Sequence, residues 1–131
     1  MESINWWKEW KINRFHNLQV GKLGEKIACK YLISKKYNII CTNFRTRFGE
    51  IDIIAEKNQE IVFIEVKTRL SKKFGYPAEA VNLKKQNHII KTSNYYIKIN
   101  SLLDCKMRYD IIEVCIRNKI AYVKHIENVF F

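Results

Sequence analysis

Gly49-Glu50-Ile51-Asp52-Ile53-Ile54-Ala55-Glu56, then Lys57-Asn58-Gln59-Glu60, then Ile61-Val62-Phe63-Ile64-Glu65-Val66-Lys67-Thr68, reads as a β-hairpin. Both outer runs are rich in isoleucine and valine, which suit a pleated, half-buried surface, and the polar run between them suits a turn. With a four-residue turn, Glu56 faces Ile61. Counting back puts Asp52 opposite Glu65 and Glu50 opposite Lys67. Side chains alternate with period two, so these four charges are expected on one face of the sheet.

Two carboxylates directly across a strand pair repel each other. A divalent cation between them removes the penalty, and hard oxygen ligands suit magnesium or manganese. Lys67, on the same side, is placed to hold a water or to stabilise charge developing on a phosphate. The register therefore points to metal-dependent phosphodiester hydrolysis. The competing reading is a solvated outer face with ordinary cross-strand ion pairs. Ile54, Ile61 and Phe63 fall on the charged face too, as on a cleft floor, and spacing alone leaves both readings open.

The chain has 131 residues, 47% of them hydrophobic. That suits one small domain and argues against wholesale disorder. The 24 lysines and arginines outnumber the 13 acids, for a net charge of +11. This balance favours polyanionic partners, nucleic acid or an anionic membrane surface. Cys29, Cys41, Cys105 and Cys115 show no paired close spacing, so neither a zinc site nor a disulfide framework is expected. They read as small buried hydrophobes in a reducing compartment. Met1 to Lys11 contains acids and no apolar run, and no stretch is long and uncharged enough to span a bilayer. The expected location is the cytoplasm.

Residues 1–20 form a basic, aromatic arm carrying Trp6, Trp7, Trp10 and Phe15. Trp6 and Trp10 lie one helical turn apart, so a helix docked on the domain core is expected. A dimer contact, a nucleic-acid stacking surface and an interfacial membrane anchor are the other roles open to it. Residues 21–131 form the domain. Its first helix, from Val20 to Lys36, has an apolar stripe of Leu23, Ile27, Ala28, Tyr31 and Leu32, with Glu25 at the stripe's edge. A strand from Tyr37 to Phe44 precedes Arg45 and Arg47. These two, with Thr68 and Arg69, are candidate phosphate contacts. A basic loop from Leu70 to Tyr76 is placed to close over a substrate. Pro77 and Ala78 open a helical region reaching about Ile99, with Lys84, Lys85 and Gln86 near its start. Arg108 to Ile116 and Ile120 to Ile126 read as strands. Asp110 is expected to bond to backbone or to an arginine, and neither His88 nor His125 shows a ligand pattern. The result is an α/β domain with a mixed central sheet and helices on both faces, an α-β-β-β-α-β core plus a final strand.

Asn43-Phe44-Arg45-Thr46-Arg47-Phe48-Gly49-Glu50-Ile51-Asp52 and Phe63-Ile64-Glu65-Val66-Lys67-Thr68-Arg69 closely resemble the bacterial YraN family. That family is placed in the PD-(D/E)XK, restriction-endonuclease-like superfamily, with a distant similarity to archaeal Holliday junction resolvases. The resemblance runs from about Gly21 to the strand after Tyr109. Asp then Glu-x-Lys on consecutive strands, inside these flanking words, is its specific part. Ile51 stands where the superfamily's name has proline.

The resemblance implies a restriction-endonuclease-like fold and a Mg2+- or Mn2+-dependent endodeoxyribonuclease. Asp52, Glu65, Lys67 and Glu25 would be catalytic. Asp52, Glu65, the backbone of Val66 and Glu25 would hold the metal. Lys84, Lys85 and Gln86 match the family's basic-glutamine word and join the candidate nucleic-acid contacts. DNA, branched or structured, is the implied substrate and a homodimer the implied assembly. The superfamily also holds members that bind nucleic acid without cutting it, and a non-catalytic binding module is the alternative.

Overall fold

Asn58 and Gln59 both take left-handed backbone angles, φ 52° and 65°, and close the central hairpin by themselves. The computed structural model describes residues 5–6, 10–11, 20–70 and 82–129. In chain order these give β1 (Asn5–Trp6), β2 (Trp10–Lys11), α1 (Val20–Ser34), β3 (Asn38–Thr46), β4 (Gly49–Lys57) and β5 (Glu60–Arg69). Then follow α2 (Leu83–Ile99), β6 (Lys106–Arg117) and β7 (Ile120–Ile126). The β4–β5 turn is two residues, not four, because consecutive left-handed residues match the twist of the flanking strands. The turn shortens symmetrically, Lys57 pairing with Glu60, so Glu56 still faces Ile61 as expected.

The described strands form one mixed sheet in the order β1-β7-β6-β5-β4-β3, with β2 also paired to β7. Only the β5–β6 pair is parallel. A parallel pair needs a long crossover, and the chain segment containing α2 supplies it. α1 packs Leu23, Ile27, Tyr31 and Leu32 against Ile53, Val62, Ile64 and Val114. α2 packs Ile89, Tyr96 and Ile97 with Ile54, Phe63, Tyr109 and Ile111. Alternate residues of one strand thus enter different clusters, which puts the helices on opposite faces. β6 is buried from Tyr109 to Ile116, as a central strand covered on both faces must be. Among the described residues no helix is long and apolar enough to cross a membrane.

The described parts of the arm differ from the expected helix. Asn5–Trp6 and Trp10–Lys11 are extended and pair antiparallel with β7. A spacing of four puts Trp6 and Trp10 on one side of a helix, but also on one side of a strand, since four is even. Covering an edge strand removes its unpaired backbone groups from solvent. The rest of the arm, the 71–81 segment with the expected lid and helix start, and the last two residues lie outside the described residues. The cysteines form no disulfide with one another; Cys115 is buried as expected, whereas Cys29 and Cys41 are half-buried and Cys105 is exposed.

One irregularity shapes everything at the open end of the central hairpin. Ile51 and Ile54 both belong to the α2-side cluster. They are three apart, so strict alternation would put them on opposite faces. Across from this step Asn43 has φ 53°, and the β3–β4 pairing passes from Thr42–Ile53 to Phe44–Ile51. The facing of both strands slips by one residue there. The slip turns Glu50 and Asp52 toward the α1 side, while Glu65, in step with Phe63, stays on the α2 side.

Candidate metal centre

α1 reaches the slipped strands through Gly24. A Cβ at this position would lie 1.8 Å from Thr68 Oγ1 and 2.8 Å from Thr68 Cβ. Only glycine lets the helix lie this close to β5. The next residue, Glu25, is thereby delivered to the hairpin. Carboxylate oxygens of Glu25, Glu50 and Asp52 all lie within 4.8 Å of one another. With its amide nitrogen turned toward them, Asn43 donates to Glu50 Oε1 at 2.9 Å and to Glu25 Oε1 at 3.3 Å. The left-handed angle at Asn43 thus serves the site twice, by turning the strand and by aiming a donor.

Asp52 sits in the gap where β4 and β5 part, beyond their Ile53–Ile64 pair. Its Oδ2 accepts the Val66 N–H at 2.8 Å. Burial pushes the Asp52 carboxyl up to about 8, helped by the charges of Glu65 and Glu25 and opposed by the Val66 N–H. Glu65 is close enough to share a hydrogen bond with Asp52. Glu65 also pairs with the ammonium of Lys85 from α2. The Lys85 N–H is bonded by Asn82 Oδ1 at 2.9 Å, the N-cap of that helix. Lys85 thus stands at the edge of an acidic group that Glu65 joins through Asp52.

The structure brings together Glu25, Asp52, Glu65 and the backbone of Val66 from the expected set. Glu50 joins them in a ligand position. The sequence reading had placed Glu50 beside Asp52 but gave it no ligand role. The premise that Asp52 and Glu65 share one flat face is corrected by the slip: they meet across the gap between strands, from opposite sides. Lys67 is half-buried on β5, and Glu113 of β6 is its register partner. Glu113 is fully buried, with Arg69 Nε 4.0 Å away. The sequence reading passed over it in favour of Asp110, and only its place in a strand otherwise filled by isoleucine and valine pointed to it.

The expected nucleic-acid contacts are less uniform. Arg45 is largely exposed and bonds Glu50 at 3.2 Å through Nε. The Arg47 guanidinium carbon lies 5.0 Å from the Phe48 ring centre. Thr68 is occupied by its close fit under Gly24, and Arg69 is half-buried beside Glu113. Lys84 is exposed, Gln86 is half-buried, and Lys85 is engaged with Glu65.

The donor set fits a hard divalent cation. It offers four carboxylates, which suit Mg2+ or Mn2+ and not softer metals. Burial, with the charges of Glu65 and Glu25 adding to it, raises Asp52, and a bound cation would offset both.

A second acidic group lies behind the α1 layer. Asp110, His125 and Glu127 also bring potential ligand atoms within 4.8 Å. Here, however, Arg108 binds both Asp110 oxygens, Nε to Oδ1 at 2.8 Å and Nη2 to Oδ2 at 2.9 Å. The backbone N–H of Asn128 donates to Oδ1 at 3.0 Å. His125 Nε2 lies 2.7 Å from Oδ2, and its Nδ1 lies 2.9 Å from the Tyr31 hydroxyl. Facing a carboxylate, Nε2 must donate, and the Tyr31 hydroxyl is the hydrogen-bond partner of Nδ1. Burial tends to raise Asp110, but the bonds from His125 and Arg108 outweigh it and hold the carboxyl below its ordinary value. The expected arginine and backbone partners of Asp110 are present. His125, read as isolated, is instead buried inside this network.

Residues 24–114 match the model of the uncharacterised protein family UPF0102. A UPF0102 protein of Clostridioides difficile is 46% identical over 115 residues, covering 88% of this chain and 99% of the relative. One from Alkaliphilus oremlandii is 48% identical over 116 residues, covering 87% and 99%. One from Caldicellulosiruptor bescii is 47% identical over 115 residues, covering 86% and 97%. The chain belongs to family UPF0102.

Proposed function

We propose that this UPF0102 chain is a divalent-cation-dependent endonuclease that hydrolyses phosphodiester bonds in DNA, on a restriction-endonuclease-like arrangement of sheet and helices. One observation carries the reading. Glu25, Glu50 and Asp52 bring carboxylate oxygens within 4.8 Å of one another, Glu65 lies beside Asp52, and among the described residues the buried Asp52 carboxyl meets no cationic side chain, only the Val66 N–H and Glu65. Such an arrangement costs stability and has a use when a cation occupies it.

In this reading Asp52 and Glu65 hold Mg2+ or Mn2+, with Glu25 and Glu50 completing the acidic shell beside Val66. The bound cation lowers the pKa of a water and offsets charge on the scissile phosphate. Val66 N–H fixes the Asp52 carboxylate through Oδ2, leaving Oδ1 for the site. Lys67 orients the attacking water or holds the charge that grows on the phosphate. Lys85, paired with Glu65, would be the cation at hand to meet a substrate phosphate were the carboxylates to hold a divalent ion. Gly24 and Asn43 keep the carboxylates in position. The expected setting is the cytoplasm, and the preference for branched DNA and for a homodimer stays part of the proposal by analogy alone.

A second reading, a nucleic-acid-binding module that does not cut, draws on the Lys85–Glu65 pair, in which a lysine already neutralises one carboxylate. Labelled single-stranded, duplex, flap and four-way-junction DNAs, incubated with Mg2+, Mn2+ or chelator, separate the two. The nuclease reading expects metal-dependent products that disappear in Glu65→Ala. It expects Lys67→Ala to bind without cutting. Undiminished cutting by Glu65→Ala would overturn it, and chelator-insensitive binding with no products would favour the module.

A further inference from the structure

Beyond the β3–β4 turn lies an open groove of about 860 Å3. Arg45, Arg47 and Phe48 line it from the turn, and Lys91, Tyr95 and Lys98 from α2. The three helix positions are spaced i, i+4 and i+7, so they form one stripe. None of the described residues that line the groove is acidic. The walls are held against each other. Thr46 Oγ1 meets Thr92 Oγ1 at 3.4 Å, and Thr92 Oγ1 donates to the His88 carbonyl at 2.7 Å. Gly49, at φ 155°, brings the strand start within 3.3 Å of His88 Cβ, measured from where a Cβ would sit. Arg45, on its wall, also bonds Glu50 of the acidic group.

Four cations, of which Arg45 alone has an acidic partner among the described residues, select a polyanion. The Tyr95 ring adds a second requirement. It is 45% exposed and stands between Lys91 and Lys98 on the stripe. A flat ring flanked by cations suits a base whose face is open, with phosphates on either side. Paired bases keep their faces inside the duplex stack, so duplex offers this ring nothing. The groove's size lies within the range of pockets that enclose whole ligands, room for about one or two nucleotides.

We propose that this groove binds an unpaired stretch of a nucleic-acid strand, one base stacked on Tyr95 and its phosphates on Arg47, Lys91 and Lys98. The inference rests on the nuclease reading only for what the strand is led toward, the carboxylates past Arg45. It names an unpaired segment next to the cleavage point as the substrate feature recognised.

The test is fluorescence anisotropy of the full chain with labelled oligothymidylate and with a duplex of equal length, in chelator, across a salt series. Tyr95→Ala is expected to weaken single-strand binding about tenfold while leaving duplex binding within about twofold. Tyr95→Phe keeps the ring and is expected to bind as the parent. Lys91→Ala with Lys98→Ala should lower the slope of log affinity against log salt by roughly 1.4 for the single strand. Thermal melts serve as the folding control, and the side chains exchanged are at the surface. Equal single-strand affinity for Tyr95→Ala and parent would overturn the proposal, as would equal losses on single strand and duplex. Cleavage is scored separately. Tyr95-dependent binding without cutting would sink the nuclease reading and leave the groove standing. Cutting with Tyr95-independent binding would do the reverse.

Discussion

Two carboxylate groups in this molecule use similar residues to opposite ends. Around Asp110 every acceptor is met: Arg108 forks onto both oxygens, His125 and the Asn128 N–H complete the set, and the carboxyl is held low. Around Asp52 the neighbours are mostly other carboxylates, one backbone N–H opposes them, and the carboxyl is pushed up. Proximity of acids alone does not separate these cases, since both clusters bring three potential ligands within 4.8 Å. What separates them is the central carboxyl: the fold gives Asp110 a guanidinium and an imidazole, and gives Asp52 one backbone N–H. A satisfied buried charge is part of the scaffold. An unsatisfied one is a site waiting for a partner.

The sharpest way to break this contrast is to remove each centre. Asp110→Ala leaves Arg108 charged and His125 buried without its acceptor. Losing one partner of a buried pair typically costs about 3–5 kcal/mol, and chemical denaturation should show a loss of that size. Asp52→Asn is expected to do the opposite. It keeps the shape and removes a buried carboxyl that is costly to ionise, so the metal-free protein should be at least as stable as the parent as pH approaches 8. Its cleavage should fall by at least about a hundredfold, because even outer-shell partners of a metal are typically worth ten- to a hundredfold. A destabilised Asp52→Asn, or a stable Asp110→Ala, would erase the distinction.

The same contrast marks where sequence was readable. The hairpin register survived a misjudged turn because Lys57 and Glu60 moved into the ladder together, leaving Glu56 opposite Ile61. The stripe on α1 and the Asp110–Arg108 partnership were legible because both are short-range patterns in residue type. The slip at Asn43 was not. A left-handed residue leaves no hydrophobic signature, and asparagine occurs in many places that need none. Without the slip, Glu50 stays a hairpin charge and Glu25 has no reason to meet it. The contacts of Lys85 with Glu65 and of Thr68 with Gly24 were not legible for a related reason. Both are settled by which helix packs over β5, at distances in sequence where periodicity carries no information. The arm failed on a degenerate spacing, four residues being compatible with helix and strand alike.

Gly24 tests whether geometry, as opposed to charge, holds the acidic centre together. In Gly24→Ala the new methyl meets Thr68 Oγ1, Cβ and Cγ2, and a β-branched side chain cannot swing all three away. α1 must retreat, at a cost of about 1–3 kcal/mol for an overpacked contact. Glu25 retreats with it, so Mg2+-dependent cleavage should weaken further than the stability loss explains. Adding Thr68→Ala removes two of the three contacts and should restore part of both. Unchanged metal affinity in Gly24→Ala would show that Glu25 is dispensable to the centre.

The smallest effect separates the two clusters by the sign of their pH response. A carboxyl raised in the folded state, as at Asp52, favours folding while it is protonated. That contribution is complete below its ordinary 3.8 and is lost as pH rises through about 8. A carboxyl held low, as at Asp110, contributes above 3.8 and loses it as pH falls through its lower folded value. Melts of the metal-free protein at pH values between about 4 and 8 should therefore show a decline that Asp52→Asn flattens. Asp110 stays ionised throughout that window and cannot produce the decline. Added Mg2+ should raise the melting temperature more at the upper end of the window than at the lower, because the cation competes with the proton for the same oxygens. A pH-independent Mg2+ shift would mean that the ion binds somewhere other than at Asp52.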